Sequence, residues 1–216
     1  ENLKKLILKL EPMASIKIIH PGDDIEVSHV TKNLIDFNGV IFTGGAMRIN
    51  DKTEEIKKHI AFAKKCFNSH KKIFAICWGL QICVVAAGGK VSKGKNGAHI
   101  GIASDVEINY NGKKHPIYKN KRIFFNTPAF NFDEVVKLPE GAKLLSSNPI
   151  NKVMGVNFNI GSTNIWGIQY HPEITYKKMI NLIHFRKDRL LEKKAFVDQS
   201  DIDSHVKIIE EENKIS

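Results

Sequence analysis

Cys77 stands where a run of β-branched and aromatic residues gives way to a longer apolar stretch, in Ile73-Phe74-Ala75-Ile76-Cys77-Trp78-Gly79-Leu80. The pattern predicts a buried strand that ends at the cysteine and a helix that begins immediately after it. A sharp strand-to-helix turn lifts the side chain at its apex above the carboxyl edge of a sheet. Unpaired N–H groups at the helix start favour thiolate over thiol there. Gly79, two positions on, removes a side chain where such a turn crowds its neighbours. A second reading stands beside this one, because a cysteine in an apolar run is commonly a core residue. The core reading suits Cys83, deep in the same helix, and Cys66, on an amphipathic one. For Cys77 both readings stay open.

A base for such a nucleophile is offered by His171-Pro172-Glu173. His171 and Glu173, two apart at the end of a strand, project to one face, and Pro172 fixes a backbone angle between them. A carboxylate beside a histidine sets its tautomer and steadies the imidazolium. Read alone, His-x-Glu is more often a surface pair, and Cys77 and His171 must meet by folding. The third element is Phe42-Thr43-Gly44-Gly45-Ala46, a strand followed by two glycines. Its backbone N–H groups can turn toward a developing oxyanion, although in isolation it reads as a plain turn. No Gly-Lys-Ser/Thr follows, so it is not a phosphate-binding P-loop.

The elements that must position these residues alternate through the first half. Asn2 to Leu10 reads as an amphipathic helix, and Ile16–Ile19, Val40–Phe42 and Ile73–Ile76 read as buried strands. Between Asp51 and Ser69, Ile56, Ile60, Ala63 and Phe67 recur at helical spacing, with Asp51 as the expected cap and Glu54 three positions on. The helix after Cys77 runs to Ala87 and stops at Gly88-Gly89. The second half is richer in strands: Asp105–Tyr110, Arg122–Asn126, Lys143–Ser146, Val153–Phe158 and Asn164–Gln169, with turns at Asn111-Gly112 and Gly161-Ser162. Tyr176–Lys194 reads as helical, and the tail from Asp201 as a surface helix that frays. The fold class expected is α/β: a three-layer, open, mostly parallel sheet with helices on both faces, plus an antiparallel portion. Residues 1–195 form one domain in this reading and 196–216 a tail. The sequence opens inside a helix, so a further strand upstream of Glu1 is expected.

Composition bounds the rest. At 216 residues, 42% hydrophobic and 26% charged, the chain can bury a core without metals or disulfides. No apolar run approaches the roughly 20 residues needed to span a bilayer, and lysines interrupt the opening ENLKKLILKLEP too often for a secretory signal. Three cysteines at no zinc spacing point to a reducing compartment, and so to the cytoplasm. The 33 Lys+Arg against 23 Asp+Glu leave a net charge of +10. The lysines fall in scattered pairs such as Lys57-Lys58, Lys71-Lys72 and Lys113-Lys114, without aromatic interleaving. They read as solvated surface rather than a nucleic-acid footprint.

Together these pieces resemble the class I glutamine amidotransferase family. Its nucleophile motif, Gly-x-Cys-x-Gly-x-Gln, reads here as Ala75-Ile76-Cys77-Trp78-Gly79-Leu80-Gln81. Its His-Pro-Glu motif is His171-Pro172-Glu173, preceded by Trp166-Gly167-Ile168-Gln169, and its oxyanion loop is similar to Thr43-Gly44-Gly45. The likeness runs in order from about Ile16 to Glu173. Cys-Trp-Gly-Leu-Gln and Pro128-Ala129-x-x-x-Asp133-Glu134-Val135 resemble the stand-alone members that look like the glutaminase domain of GMP synthase. Four departures stand out: Ala75 for the first glycine, Asn131 for a histidine, Ala46 for a proline, and Met154-Gly155 for a Gln-Ala pair.

The resemblance implies a glutaminase with Cys77 as nucleophile, His171 as base and acid, and Glu173 orienting the imidazole. It places the oxyanion against the N–H groups of Gly45 and Trp78, and implies that Gly44 and Gln81 help to bind glutamine. It calls for no metal or other cofactor, and for a separate synthetase partner that accepts the ammonia. A γ-glutamyl peptide or amine hydrolase of the same fold is the second reading. A non-catalytic binding module is the third.

Overall fold

The computed structural model describes residues 2–69 and 72–215. Glu1, Lys71 and Ser216, which fall within segments named above, lie outside the described residues. Helices α1 (Asn2–Leu10) and α2 (Asp24–Lys32) precede β1 (Val40–Phe42), α3 (Glu54–Ser69), β2 (Lys72–Ile76) and α4 (Trp78–Ala86). Next come β3 (Lys90–Lys93), β4 (His99–Ile100), β5 (Ala103–Ile108), a short α5 (Tyr110–Lys113), β6 (Phe124–Thr127), β7 (Phe130–Asn131) and β8 (Asp133–Lys137). The chain then forms β9 (Lys143–Ser147), β10 (Gly155–Ile160) and β11 (Thr163–Ile168), and closes with α6 (Tyr176–Phe185), α7 (Lys187–Glu192) and α8 (Gln199–Ile215).

A seven-stranded mixed sheet, in the order β1-β2-β11-β10-β9-β5-β6, forms the centre. β1, β2 and β11 run parallel, with Phe42 beside Ala75 and Ile168 beside Ile76. The remaining pairs, β11 with β10 onward to β6, are antiparallel. Parallel strands in register end together. Thr43–Gly45, Cys77 and Gln169–Glu173 therefore leave the sheet at one carboxyl edge, where open α/β sheets bind ligands. On one side the sheet packs against α3 and α4 through Ile56, Ala63, Phe67, Leu80 and Val84. A second cluster, around Ile76, Val106, Tyr118, Leu145 and Ile168, has Leu3 of α1 against it. A third joins α6 and α8 to Ile100 and Ile102.

The structure corrects several of the sequence expectations. Ile16–Ile19 is irregular rather than a strand, and Ile18 is 53% exposed. Among the described residues β1 is an edge strand that pairs only with β2; Ile16–Ile19 does not pair with its open side, and an apolar run alone does not make a strand. The α3 cap is Thr53, whose Oγ1 accepts from the N–H of Ile56 at 3.3 Å. Asp51 sits in a preceding 3-10 turn, and Lys52 at φ 51° separates it from the helix. Asn111-Gly112 forms part of a helical turn, because the Asn109 side chain accepts from the N–H of Gly112 at 3.0 Å. The predicted helix over Tyr176–Lys194 breaks at Arg186 into α6 and α7. The tail forms a helix with most of its residues exposed, and Ile202, Val206 and Ile209 seat it against α6.

Candidate active site

Cys77 occupies the apex expected of it, at φ 51° and ψ −111° between β2 and α4. A non-glycine residue in that region carries about 1–3 kcal/mol of strain, held here by the structure around it. Its N–H donates to the Ile168 carbonyl at 2.8 Å, tying the apex to the end of β11. A side chain at Gly79 would put a Cβ 2.4 Å from the Phe42 carbonyl oxygen, so only glycine lets α4 start this close to β1. Trp78, the first residue of α4, has an N–H with no acceptor inside the helix. The N–H of Gly45 makes no hydrogen bond among the described residues, and Gly45 lies against the Trp78 indole.

His171 and Glu173 converge on the same edge. Nδ1 of the imidazole lies 2.7 Å from Glu173 Oε1, and both side chains are buried. A carboxylate accepts, so Nδ1 carries a proton and Nε2 is the ring nitrogen left for the hydrogen bond to Cys77. Burial pushes the imidazole's pKa down. Hydrogen bonds to Cys77 and Glu173, together with their negative charge, outweigh it and raise the pKa to about 10. The main chain holds the ring from both ends: the N–H of His171 donates to the Pro128 carbonyl at 2.8 Å, and a Cβ on Gly44 would stand 2.7 Å from its Cε1. The remaining carboxylate oxygen, Glu173 Oε2, is buried without a partner among the described residues.

The other two cysteines behave as core residues. Burial pushes the Cys66 thiol up to about 12 and the Cys83 thiol well above its ordinary value.

A cleft opens from Cys77 between the Gly45–Arg48 loop, Gln81, the Phe130–Asp133 segment and α7. Arg48 crosses it to Asp133, with Nε 3.0 Å from Oδ2 and Nη2 2.5 Å from Oδ1. Arg186, Arg189 and Lys193 line its mouth, and the Arg186 guanidinium lies over the Phe130 ring at 5.2 Å. Desolvation, and then the charge of Arg189, lower the Arg186 pKa. No ion pair is formed by these three cations among the described residues. Neither the pairing of Arg48 nor the cationic mouth has a signal in the sequence. Arg186 comes to the cleft because the helix breaks there. Asp133 does carry a signal, since it lies in the Pro128–Val135 motif.

Asn131 has a structural explanation. Its Oδ1 lies 3.2 Å from His99 Nδ1, and its Nδ2 donates to Asn151 Oδ1 at 2.8 Å and to the Asp133 carbonyl at 3.1 Å. Asn148 accepts the N–H of Asn151 and turns its own amide N–H to His99 Nε2 at 2.8 Å. Those directions put the His99 proton on Nδ1, facing Asn131. Desolvation lowers the His99 pKa, which suits a neutral ring in the circuit. Met154 and Ala75 are both fully buried core residues.

Comparisons with known proteins bear on the family and the fold. The family model described as glutamine amidotransferase class-I matches residues 1–187. The chain is 34% identical over 178 residues to a gamma-glutamyl-L-1-hydroxyisopropylamide hydrolase of a Pseudomonas species, covering 81% of this chain and 59% of that relative's length. It is 29% identical over 169 residues to a subunit of the glutamine-hydrolyzing GMP synthase of Methanocaldococcus jannaschii, covering 76% of each. A crystal structure of a glutamine amidotransferase from Thermotoga maritima superposes with a TM-score of 0.73 at 21% identity, covering 99% of this chain and 86% of the other. That last likeness is one of fold.

Proposed function

The chain belongs to the class I glutamine amidotransferase family, and from that membership we propose that it hydrolyses γ-glutamyl amide bonds through a thioester on Cys77. The observation that carries the proposal is the 2.7 Å contact between Glu173 and His171 Nδ1, which leaves Nε2 for a cysteine held at a strained apex.

In the proposed cycle the Cys77 thiolate attacks the δ-carbonyl carbon of the substrate, and the oxygen takes up the electron pair. The N–H groups of Gly45 and Trp78 hold that oxyanion; one such donor is worth roughly 2.7–4 kcal/mol of barrier. His171, holding the thiol proton on Nε2, gives it to the departing nitrogen as the C–N bond breaks. Water, losing a proton to the same Nε2, then attacks the thioester, and Cys77 leaves as thiolate. Glu173 keeps the imidazole oriented throughout. Gly44 backs the ring from the substrate side, and the Gln81 side chain faces the γ-glutamyl group from the cleft wall.

Glutamine is the proposed substrate, and a separate synthetase chain the proposed acceptor of its ammonia. The likeness to a GMP synthase component supports that partner. The cytoplasm is the proposed location. The catalytic unit is proposed to be residues 1–195, with 196–216 an appended helix. A second reading, hydrolysis of larger γ-glutamyl amides, is favoured by the cleft continuing past Cys77 to Arg189 of α7 and to Arg186 and Lys193 at its two ends. A relative named for such an activity supports it.

The test supplies purified protein with glutamine and a panel of γ-glutamyl amines and dipeptides, and follows glutamate release. Release from at least one of them, abolished by Cys77→Ala, is the expected result. Release undiminished in Cys77→Ala removes the cysteine from the mechanism.

A further inference from the structure

Gln169 joins the end of β11 to His171 and is fully buried. Its main-chain N–H is pinned to the Met154 carbonyl at 3.0 Å. Its side-chain Nε2 lies 3.4 Å from Cys77 Sγ, while its Oε1 lies 3.3 Å from Gln81 Nε2. Gln81 Nε2 in turn lies 2.9 Å from the main-chain carbonyl oxygen of Asp133.

The neighbours of each amide fix its direction. A carbonyl oxygen only accepts, so Gln81 must turn its NH2 toward Asp133. The second proton of that NH2 then faces Gln169, which must answer with oxygen. The NH2 of Gln169 is thereby left aimed at the sulfur.

We infer that Gln169 is a catalytic residue that donates a hydrogen bond to the Cys77 thiolate, and that Gln81 is a positioning residue that holds this donor in orientation. The inference rests on Cys77 being the nucleophile. The sulfur then lies between two contacts of opposite character. The Phe130 carbonyl oxygen, 3.7 Å away, suits the S–H of the neutral thiol, and the Gln169 amide suits the anion. A donor to a charged group in a dry site is stronger than one to a neutral group. It therefore favours thiolate before attack, and again when sulfur leaves the thioester. In both cases the negative charge resides on the atom that Gln169 faces.

The test uses the pH profile of iodoacetamide labelling, read at each cysteine by peptide mapping, so it needs no substrate. Two variants are compared with wild type. Gln169→Leu removes the donor at similar volume. Gln169→Glu keeps the shape and the contact from Gln81 but presents a carboxylate oxygen to the sulfur, which keeps the test valid if the leucine variant fails to fold. The expected result is that Cys77 labelling moves upward by about one pH unit or more in either folded variant, and that turnover falls about 10- to 100-fold, the range for losing a hydrogen bond to a charged group. Gln81→Leu shows a smaller movement in the same direction. A labelling profile unchanged in a folded Gln169 variant overturns the inference and leaves Gln169 as packing. Wild-type labelling no faster at Cys77 than at Cys66 or Cys83 defeats instead the reading of Cys77 as an activated nucleophile, so the two failures are distinct.

Discussion

Gly44→Ala separates catalysis from stability at one atom. A Cβ there would stand 2.7 Å from His171 Cε1, with Nδ1 and Nε2 each at 3.6 Å. Ordinary carbon contacts begin near 3.5–4.0 Å, so the imidazole must retreat by roughly 1 Å. The ring cannot do so freely, because Glu173 holds Nδ1 at 2.7 Å and the main chain of His171 is tied to Pro128. The retreat therefore draws Nε2 off its line to the sulfur. A misplacement of about 1 Å costs on the order of 100-fold in rate, or about 2.7 kcal/mol of barrier. Gly44 lies in a loop outside the main clusters, so folding stability should change by less than about 1 kcal/mol. The assay is glutamate release under saturating substrate, paired with a urea titration. Turnover within threefold of wild type would refute the claim that this glycine seats the imidazole. An equal loss of stability and activity would show that the loop, rather than the ring, had been disturbed.

Three further outcomes follow from the same geometry. Because the folded-state pKa of His171 is raised from 6.5 to about 10, the stability it contributes is fully present below about pH 6.5 and is lost as pH rises through about 10; urea midpoints from pH 6 to 10 should fall more steeply in wild type than in Glu173→Gln. Arg48→Met leaves the buried Asp133 carboxylate without its bidentate partner, which should destabilise the protein by about 3 kcal/mol in a denaturant titration. Thr53→Ala should cost about 1 kcal/mol as the lost cap of α3, whereas Asp51→Ala should cost little; a reversed order would return the cap to Asp51.

Legibility follows the chemistry. Cys77, His171 and the Gly44-Gly45 loop are readable because each ends a short apolar strand, and parallel register alone brings those ends together. The helix face of Ile56, Ala63 and Phe67 is readable because periodicity reports burial directly. Ile16–Ile19 misleads because a strand is a relation between segments, and residue types do not report whether a neighbour is present. Asn111-Gly112 misleads because Asn109 competes for the turn with its own side chain. In the site, the Arg48–Asp133 pair and the circuit through His99, Asn131 and Asn148 join residues far apart in sequence, and no local pattern encodes such pairings. The gap between α6 and α7 also lacks a signal: Arg186 is a good helix former, and it is placed by packing on Phe130 rather than by propensity.

The most direct measurement is acid quenching of the enzyme during turnover of a γ-glutamyl amide, followed by mass mapping of its cysteines. The account predicts one γ-glutamyl group in thioester linkage to Cys77, none on Cys66 or Cys83, and accumulation of that adduct when deacylation is slowed. Steady glutamate release with Cys77 never acylated, or an acyl group found on another residue, would contradict it.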